Sequence, residues 1–175
     1  FKGFEYSDGW VDDSRLVILN ALSAQEKGAT IATQTKCVNA KREQNKWQVT
    51  LEQQNTKSKY TVSAKGIVNA AGPWVAKLFD EALIEKSPQN IRLVKGSHIV
   101  VPRIHDEKEA YILQNKDQRI VFVIPFEDDY SLVGTTDVEH NGAAQDVKIS
   151  DEEIDYLIDI TNSYFKNHIK REDIV

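Results

Sequence analysis

A histidine set into an apolar strand is the most chemically suggestive feature of this sequence. His98 follows Lys95-Gly96-Ser97 and runs into Ile99-Val100-Val101. An imidazole titrates near neutral pH, and one placed behind a flexible, polar kink suits general-base work on an alcohol. A lone histidine suits a hydrogen-bonded place in a core or on a surface equally well. Lys95 is a candidate to hold an anionic group, with a solvated charge as the alternative. Arg119 opens the most apolar strand of the chain, where a guanidinium can clamp a phosphate or carboxylate or pair with the neighbouring Asp117. Thr135 and Thr136, between Gly134 and Asp137, offer hydroxyls at a strand end. The same letters also make an ordinary turn. A last candidate is Gly66-Ile67-Val68-Asn69-Ala70-Ala71-Gly72-Pro73-Trp74, an apolar run that ends in small residues and a proline. Gly72 and the small pair Ala70 and Ala71 leave room for a ligand to approach the backbone, and the run reads as a strand ending before Pro73.

These residues need elements to position them. Asp12-Asp13-Ser14 is N-cap chemistry, Leu16, Leu19 and Leu22 recur at helical spacing, and Lys27-Gly28 closes the segment, so residues 12–27 are expected to form a helix. Three strands are expected next, Ala29 to Thr33, Thr35 to Arg42 and Trp47 to Leu51, the last alternating apolar and polar. Tyr60, Val62 and Ala64 continue a β-meander into the Gly66 run. A short helix starts at Pro73. Asp80 to Asn90 is a polar connection, and a domain boundary is expected there. Beyond it the pattern is an antiparallel sheet: Ile91 to Val101 with Lys95–His98 as an insert, Glu109 to Leu113, Arg119 to Ile124 ending at Pro125, and Tyr130 to Val133. Ser150-Asp151-Glu152-Glu153 reads as a capping box opening a helix over 151–166, with Ile154, Leu157, Ile158 and Thr161 on its apolar face.

Composition removes other classes of function. The 175 residues carry 22 Lys and Arg against 27 Asp and Glu, a net charge of −5, so the basic footprint of a nucleic-acid binder is missing. A single cysteine, Cys37, allows no internal disulfide. His98, His105, His140 and His168 are scattered without metal-ligand spacing, so no metal site is expected. The chain holds no methionine and opens at Phe1, which fits a piece of a longer polypeptide.

Several blocks occur in order: Phe4-Glu5-Tyr6-Ser7-Asp8, Trp10-Val11-Asp12-Asp13, Val68 to Val75, Ile91 to Pro102 with Lys95-Gly96-Ser97-His98 at its centre, Arg119 to Pro125, and Gly134-Thr135-Thr136-Asp137-Val138-Glu139. This set resembles the aerobic, FAD-dependent, quinone-reducing glycerol-3-phosphate dehydrogenase family, and the resemblance covers essentially the whole chain. It implies an α+β piece of a two-domain flavoprotein of the D-amino-acid-oxidase-like superfamily, a β-meander plus an antiparallel cap sheet with flanking helices. Residues 1–80 would be part of the FAD-binding domain, 90–148 the substrate-covering cap sheet, and 149–175 a helix leading to the C-terminal part of the enzyme.

The same resemblance implies oxidation of sn-glycerol 3-phosphate to dihydroxyacetone phosphate, with FAD as cofactor and quinone as electron acceptor. His98 would be the base. Lys95, Ser97, Arg119, Thr135 and Thr136 would meet the substrate, and Asn69 to Gly72 the cofactor. It further implies a cytoplasmic protein held peripherally on the inner membrane, completed by N- and C-terminal segments of the same enzyme, and leaves a homodimer open. The sequence departs from the family in lacking a Gly-x-Gly-x-x-Gly turn, so this chain alone is expected to be inactive and not to retain FAD. Two other readings stand beside it: a piece of an FAD-dependent amine or amino-acid oxidase, against which the Lys95–His98 block argues, and a non-catalytic interaction module.

Overall fold

The computed structural model describes residues 3–89 and 91–175. Phe1 of the aromatic opening and Asn90 of the polar connection lie outside the described residues. The chain divides into two compact units: residues 1–69 with 78–85, and residues 70–77 with 86–175.

The first unit contains helix α1 (Asp13–Glu26) and a three-stranded antiparallel meander, β1 (Thr35–Glu43), β2 (Lys46–Gln53) and β3 (Lys59–Ala64), in sequence order. The carboxylate of Asp12 caps α1 by accepting from the Arg15 N–H at 3.0 Å. The β1–β2 hairpin closes in two residues, Gln44 and Asn45, both at positive φ (46° and 67°). That turn geometry matches the twist of the paired strands, and Asn at its second position suits it. Ala40 and Val49 face each other across the ladder and are buried, as is Ala82 of the helical turn Phe79–Leu83, which packs on β1. Lys36 and Glu81 tie the two at 2.6 Å.

Two expected strands do not form. Ala29 to Thr33 runs instead into a turn whose Gln34 has φ 50°. The Gly66–Ala71 run carries no ladder partner among the described residues, and Val68 is 92% exposed. Apolar residues on both faces suit the centre of a sheet, but a strand needs neighbours to bond with. Helix α1 is similarly uncovered, with no buried residue and Val17 68% exposed.

The second unit begins with residues 70–77, in which Gly72–Trp74 form a 3₁₀ turn and Pro73 starts the helical run that continues as α2 (Val75–Leu78). Its body is a four-stranded antiparallel sheet. Strands β5 (His98–Pro102), β6 (Tyr111–Gln114), β7 (Ile120–Phe126) and β8 (Tyr130–Gly134) lie in the order β5-β8-β7-β6. A two-stranded ribbon pairs β4 (Val94–Lys95) with β9 (Val138–Glu139). The segment expected as one strand over Ile91 to Val101 is thus two strands in two sheets. Strand β7 runs through Pro125, which pairs with Ser131 beyond the last residue bonded to β6. There the missing N–H is not needed by a second neighbour.

Helix α3 (Asp151–Tyr164) opens with the expected capping box: Ser150 Oγ accepts from the Glu153 N–H, and Glu153 Oε2 accepts from the Ser150 N–H. It packs on the sheet, and Leu157 and Ile160 join Ile99, Val101, Leu113, Val121, Val123 and Val133 in one core. Alternate residues of β5, β7 and β8 point into that core, which is why these strands read as β-branched. Leu157 is fully buried. Leu157→Ala is therefore expected to cost roughly 2–5 kcal/mol, read as a lower urea midpoint at unchanged m value.

Candidate functional site

The two motifs that stand out in the sequence are the two sides of one break in an antiparallel pair. His98 pairs with Gly134, and Lys95 pairs with Val138. Between these rungs two residues, Gly96 and Ser97, face three, Thr135 to Asp137. The extra residue opens the ladder as a bulge does, turning side chains to new directions.

The glycines in this break make room for side chains of the opposite segment. A Cβ on Gly134 would lie 2.2 Å from Cδ2 and 2.6 Å from Cγ of His98, so the imidazole rests directly on the Gly134 backbone. A Cβ on Gly96 would lie 2.3 Å from Thr135 Oγ1. Neither ring nitrogen of His98 has a hydrogen-bond partner among the described residues, and its exposed ring borders solvent. Burial of part of the ring lowers its pKa from the ordinary 6.5. A histidine so placed is neutral at physiological pH and able to accept a proton.

Behind His98 lies a charged cluster that the sequence reading assigned differently. Glu153 is 5% exposed and accepts four hydrogen bonds. Its Oε1 receives Ser97 Oγ at 2.9 Å and Thr136 Oγ1 at 2.7 Å. Its Oε2 receives Lys95 Nζ at 2.6 Å and the Ser150 N–H at 2.8 Å. Lys95 Nζ also donates to the Lys148 carbonyl at 2.9 Å, and only 13% of its side chain is exposed. Lys95, Ser97 and Thr136, expected to meet substrate, thus turn inward to an internal carboxylate. The reason is electrostatic: a buried carboxylate needs donors and a counter-charge, and these three side chains supply them.

Burial alone would raise the Glu153 pKa, but the hydrogen bonds from Lys95, Thr136, the Ser150 N–H and Ser97 outweigh it and bring it down to about 2. A carboxyl lowered from 4.5 in the folded state adds stability above that value and loses it as pH falls towards 2. Denaturant titrations are therefore expected to show the wild-type chain weakening over that window, with a flatter pH dependence in Glu153→Gln. Equal slopes would contradict it.

Arg119 stands at the same end of the sheet, because it precedes β7, whose Phe122 is the other ladder partner of Gly134. Its Nε and Nη2 bond Asp117 Oδ2 at 2.7 and 2.6 Å, and its guanidinium carbon lies 4.0 Å from the centre of the Tyr156 ring. Nη1 remains without a hydrogen-bond partner among the described residues. Thr135 is half-buried and donates to the Thr136 carbonyl at 3.0 Å. Ala70, Ala71 and Gly72 are exposed, and Asn69 is half-buried. Gly72 has φ 53°, which favours glycine, and a Cβ there would meet nothing within 4 Å. Anion binding has no support at the two long helices. The N-terminus of α1 carries Asp12 and Asp13, and that of α3 carries Asp151, Glu152 and Glu153. Acids there repel a phosphate that a bare helix N-terminus would attract.

Glu153 is the residue that sequence reasoning missed as part of the site. Its signal was present: residues 153, 157, 160 and 161 share the stripe of α3 that faces the core, and an acid on such a stripe needs a partner.

Comparison with known proteins places this geometry in context. Residues 1–175 match the model of a family described as FAD dependent oxidoreductase. The chain is 53% identical over 174 residues to the aerobic glycerol-3-phosphate dehydrogenase of Escherichia coli, covering 99% of this chain and 35% of that protein. It is 50% identical over 174 residues to the D-erythritol 1-phosphate dehydrogenase of Brucella abortus, with 99% and 35% covered. Among solved structures it resembles the glycerol-3-phosphate dehydrogenase from Bacillus halodurans complexed with FAD, with a TM-score of 0.82 and 28% identity over 93% of this chain and 33% of that one. The chain spans about a third of the length of these relatives.

Proposed function

The chain belongs to the FAD dependent oxidoreductase family, and on that premise we propose that it is the part of a longer flavoprotein that brings the base to a polyol phosphate. The reaction is oxidation of the secondary alcohol of sn-glycerol 3-phosphate to dihydroxyacetone phosphate, with quinone as the final acceptor. The observation that carries this reading is His98, seated on Gly134 at the mouth of the broken ladder, with neither ring nitrogen hydrogen-bonded among the described residues. The names of relatives at about half identity support the substrate class.

A ring nitrogen of His98 takes the hydroxyl proton as the carbinol carbon is oxidised. The flavin, when bound, supplies the hydride acceptor. Arg119, through Nη1 at the phosphate, and Thr135 are the side chains proposed to meet the substrate. Lys95, Ser97 and Thr136 act from behind. The run Asn69 to Gly72, with its small residues Ala70, Ala71 and Gly72, is proposed as one wall of a flavin site. A quinone acceptor requires the longer polypeptide to reach a membrane surface. Peripheral attachment at the cytoplasmic face of the inner membrane is proposed for it. Among the described residues no helix is long and apolar enough to cross a membrane.

The D-erythritol 1-phosphate dehydrogenase relative supports a second substrate reading, a four-carbon polyol phosphate. Turnover of the full-length flavoprotein with an artificial acceptor decides. Oxidation of sn-glycerol 3-phosphate is expected, and D-erythritol 1-phosphate as the better substrate would favour the second reading. Activity confined to amines or amino acids would overturn both.

Gly134→Ala offers a local check. The added Cβ cannot coexist with the imidazole in its present place, so the ring must move. A misplacement of about 1 Å can cost on the order of 100-fold. The folded variant is expected to lose turnover on that scale with its flavin retained.

A further inference from the structure

Two short segments, Gly96-Ser97 and Thr135–Asp137, border the imidazole, and between them the ladder is broken. Granted His98 as the base proposed above, we propose that Glu153 is its positioning residue: one carboxylate at the start of α3 fixes both segments between which the ring stands. Ser97, immediately before His98, gives its hydroxyl to Oε1 at 2.9 Å. Thr136, two residues beyond the glycine beneath the ring, gives its hydroxyl to the same oxygen at 2.7 Å. The two segments are also bonded to each other, the Ser97 N–H to Thr136 Oγ1 at 2.9 Å and the Thr136 N–H to the Ser97 carbonyl at 3.3 Å. Lys95, at the far side of the kink, is drawn to Oε2.

The carboxylate therefore replaces the rungs that the bulge removes. Four donors use its acceptor capacity, so it has one arrangement in which every partner is satisfied. Its backbone is fixed in turn, because Glu153 belongs to the capping box of α3 and that helix is anchored in the core through Leu157 and Ile160. The position of the base is thereby coupled to α3. Glutamine at 153 would keep the shape and one oxygen acceptor. It would leave the Lys95 ammonium buried without a counter-charge and put an N–H₂ group against one set of donors.

The test is a double-mutant cycle in the full-length flavoprotein, with kcat expressed per bound flavin and sn-glycerol 3-phosphate as substrate. Glu153→Gln is expected to lower kcat by about 10- to 100-fold, the scale of a displaced catalytic group. KM should change far less than kcat. In a His98→Ala background Glu153→Gln should add little further loss, since the group it positions is gone. Ser97→Ala removes one link only and serves the same cycle where Glu153→Gln yields too little folded protein. The proposal is overturned if kcat per bound flavin is unchanged in the single variants. It is also overturned if the loss is as large with His98 absent as with it present, which marks a merely structural role. If His98→Ala itself turns over normally, the reading of His98 as base has failed and the positioning role falls with it. If His98→Ala is slow while Glu153→Gln and Ser97→Ala are not, only the positioning role has failed.

Discussion

Replacing His98 by alanine is expected to lower kcat of the full-length flavoprotein by roughly 10²- to 10⁴-fold while leaving its flavin content unchanged. The size follows from losing proton transfer in the rate-limiting chemistry, and the selectivity from where the ring sits. It rests on Gly134 at the surface of the unit, outside the Val101–Leu157 core, so its removal opens no cavity there. The pH profile supplies a second mark of the same role. Partial burial lowers the His98 pKa from 6.5, so the ring is neutral above that lowered value and protonated below it. Only the neutral ring accepts a proton. The acid limb of kcat/KM is therefore expected below 6.5 in the wild type and absent in His98→Ala. Near wild-type turnover in the variant would return His98 to a surface histidine.

The 175-residue chain purified by itself is expected to carry no flavin and to show no dehydrogenase activity. The affinity of a dinucleotide site comes largely from backbone N–H groups at a helix N-terminus that grip the pyrophosphate. In this chain the two long helices begin with acids, and the sequence holds no Gly-x-Gly-x-x-Gly turn. The run from Asn69 to Gly72, proposed above as one wall of the flavin site, brings no Gly-rich anion cradle. Self-association is expected to accompany the loss, because α1 and Val68 expose apolar surface that water does not solvate well. Gel filtration after incubation with FAD, followed by a visible spectrum of the protein peak, reads both effects. Stoichiometric flavin co-eluting with a monomer would contradict the expectation.

What the sequence made legible was what local chemistry decides. The Ser150 and Asp12 caps and the alternation of β2 each depend on residues close in the chain, and each forms as read. The Gly66–Ala71 run looked like a strand because its residues are strand-like, but a ladder is supplied by other segments, and among the described residues the run forms none. His98 was visible as chemistry, while its seat was not. The contact with Gly134 and the rung opposite Val138 depend on the register between segments distant in sequence. Lys95, Ser97 and Thr136 were read outward because polar residues beside a candidate base suggest substrate contacts. All three donate to Glu153, a glutamate that the cap at the start of α3 already accounts for in the sequence.

The most direct test is the anaerobic reductive half-reaction of the full-length flavoprotein, followed as loss of visible flavin absorbance. With sn-glycerol 3-phosphate the wild type should bleach rapidly and completely, and His98→Ala should bleach slowly by a factor of roughly 10² or more at unchanged substrate affinity. Bleaching at equal rates in the two proteins, or reduction only by an amine or amino acid, would contradict the account.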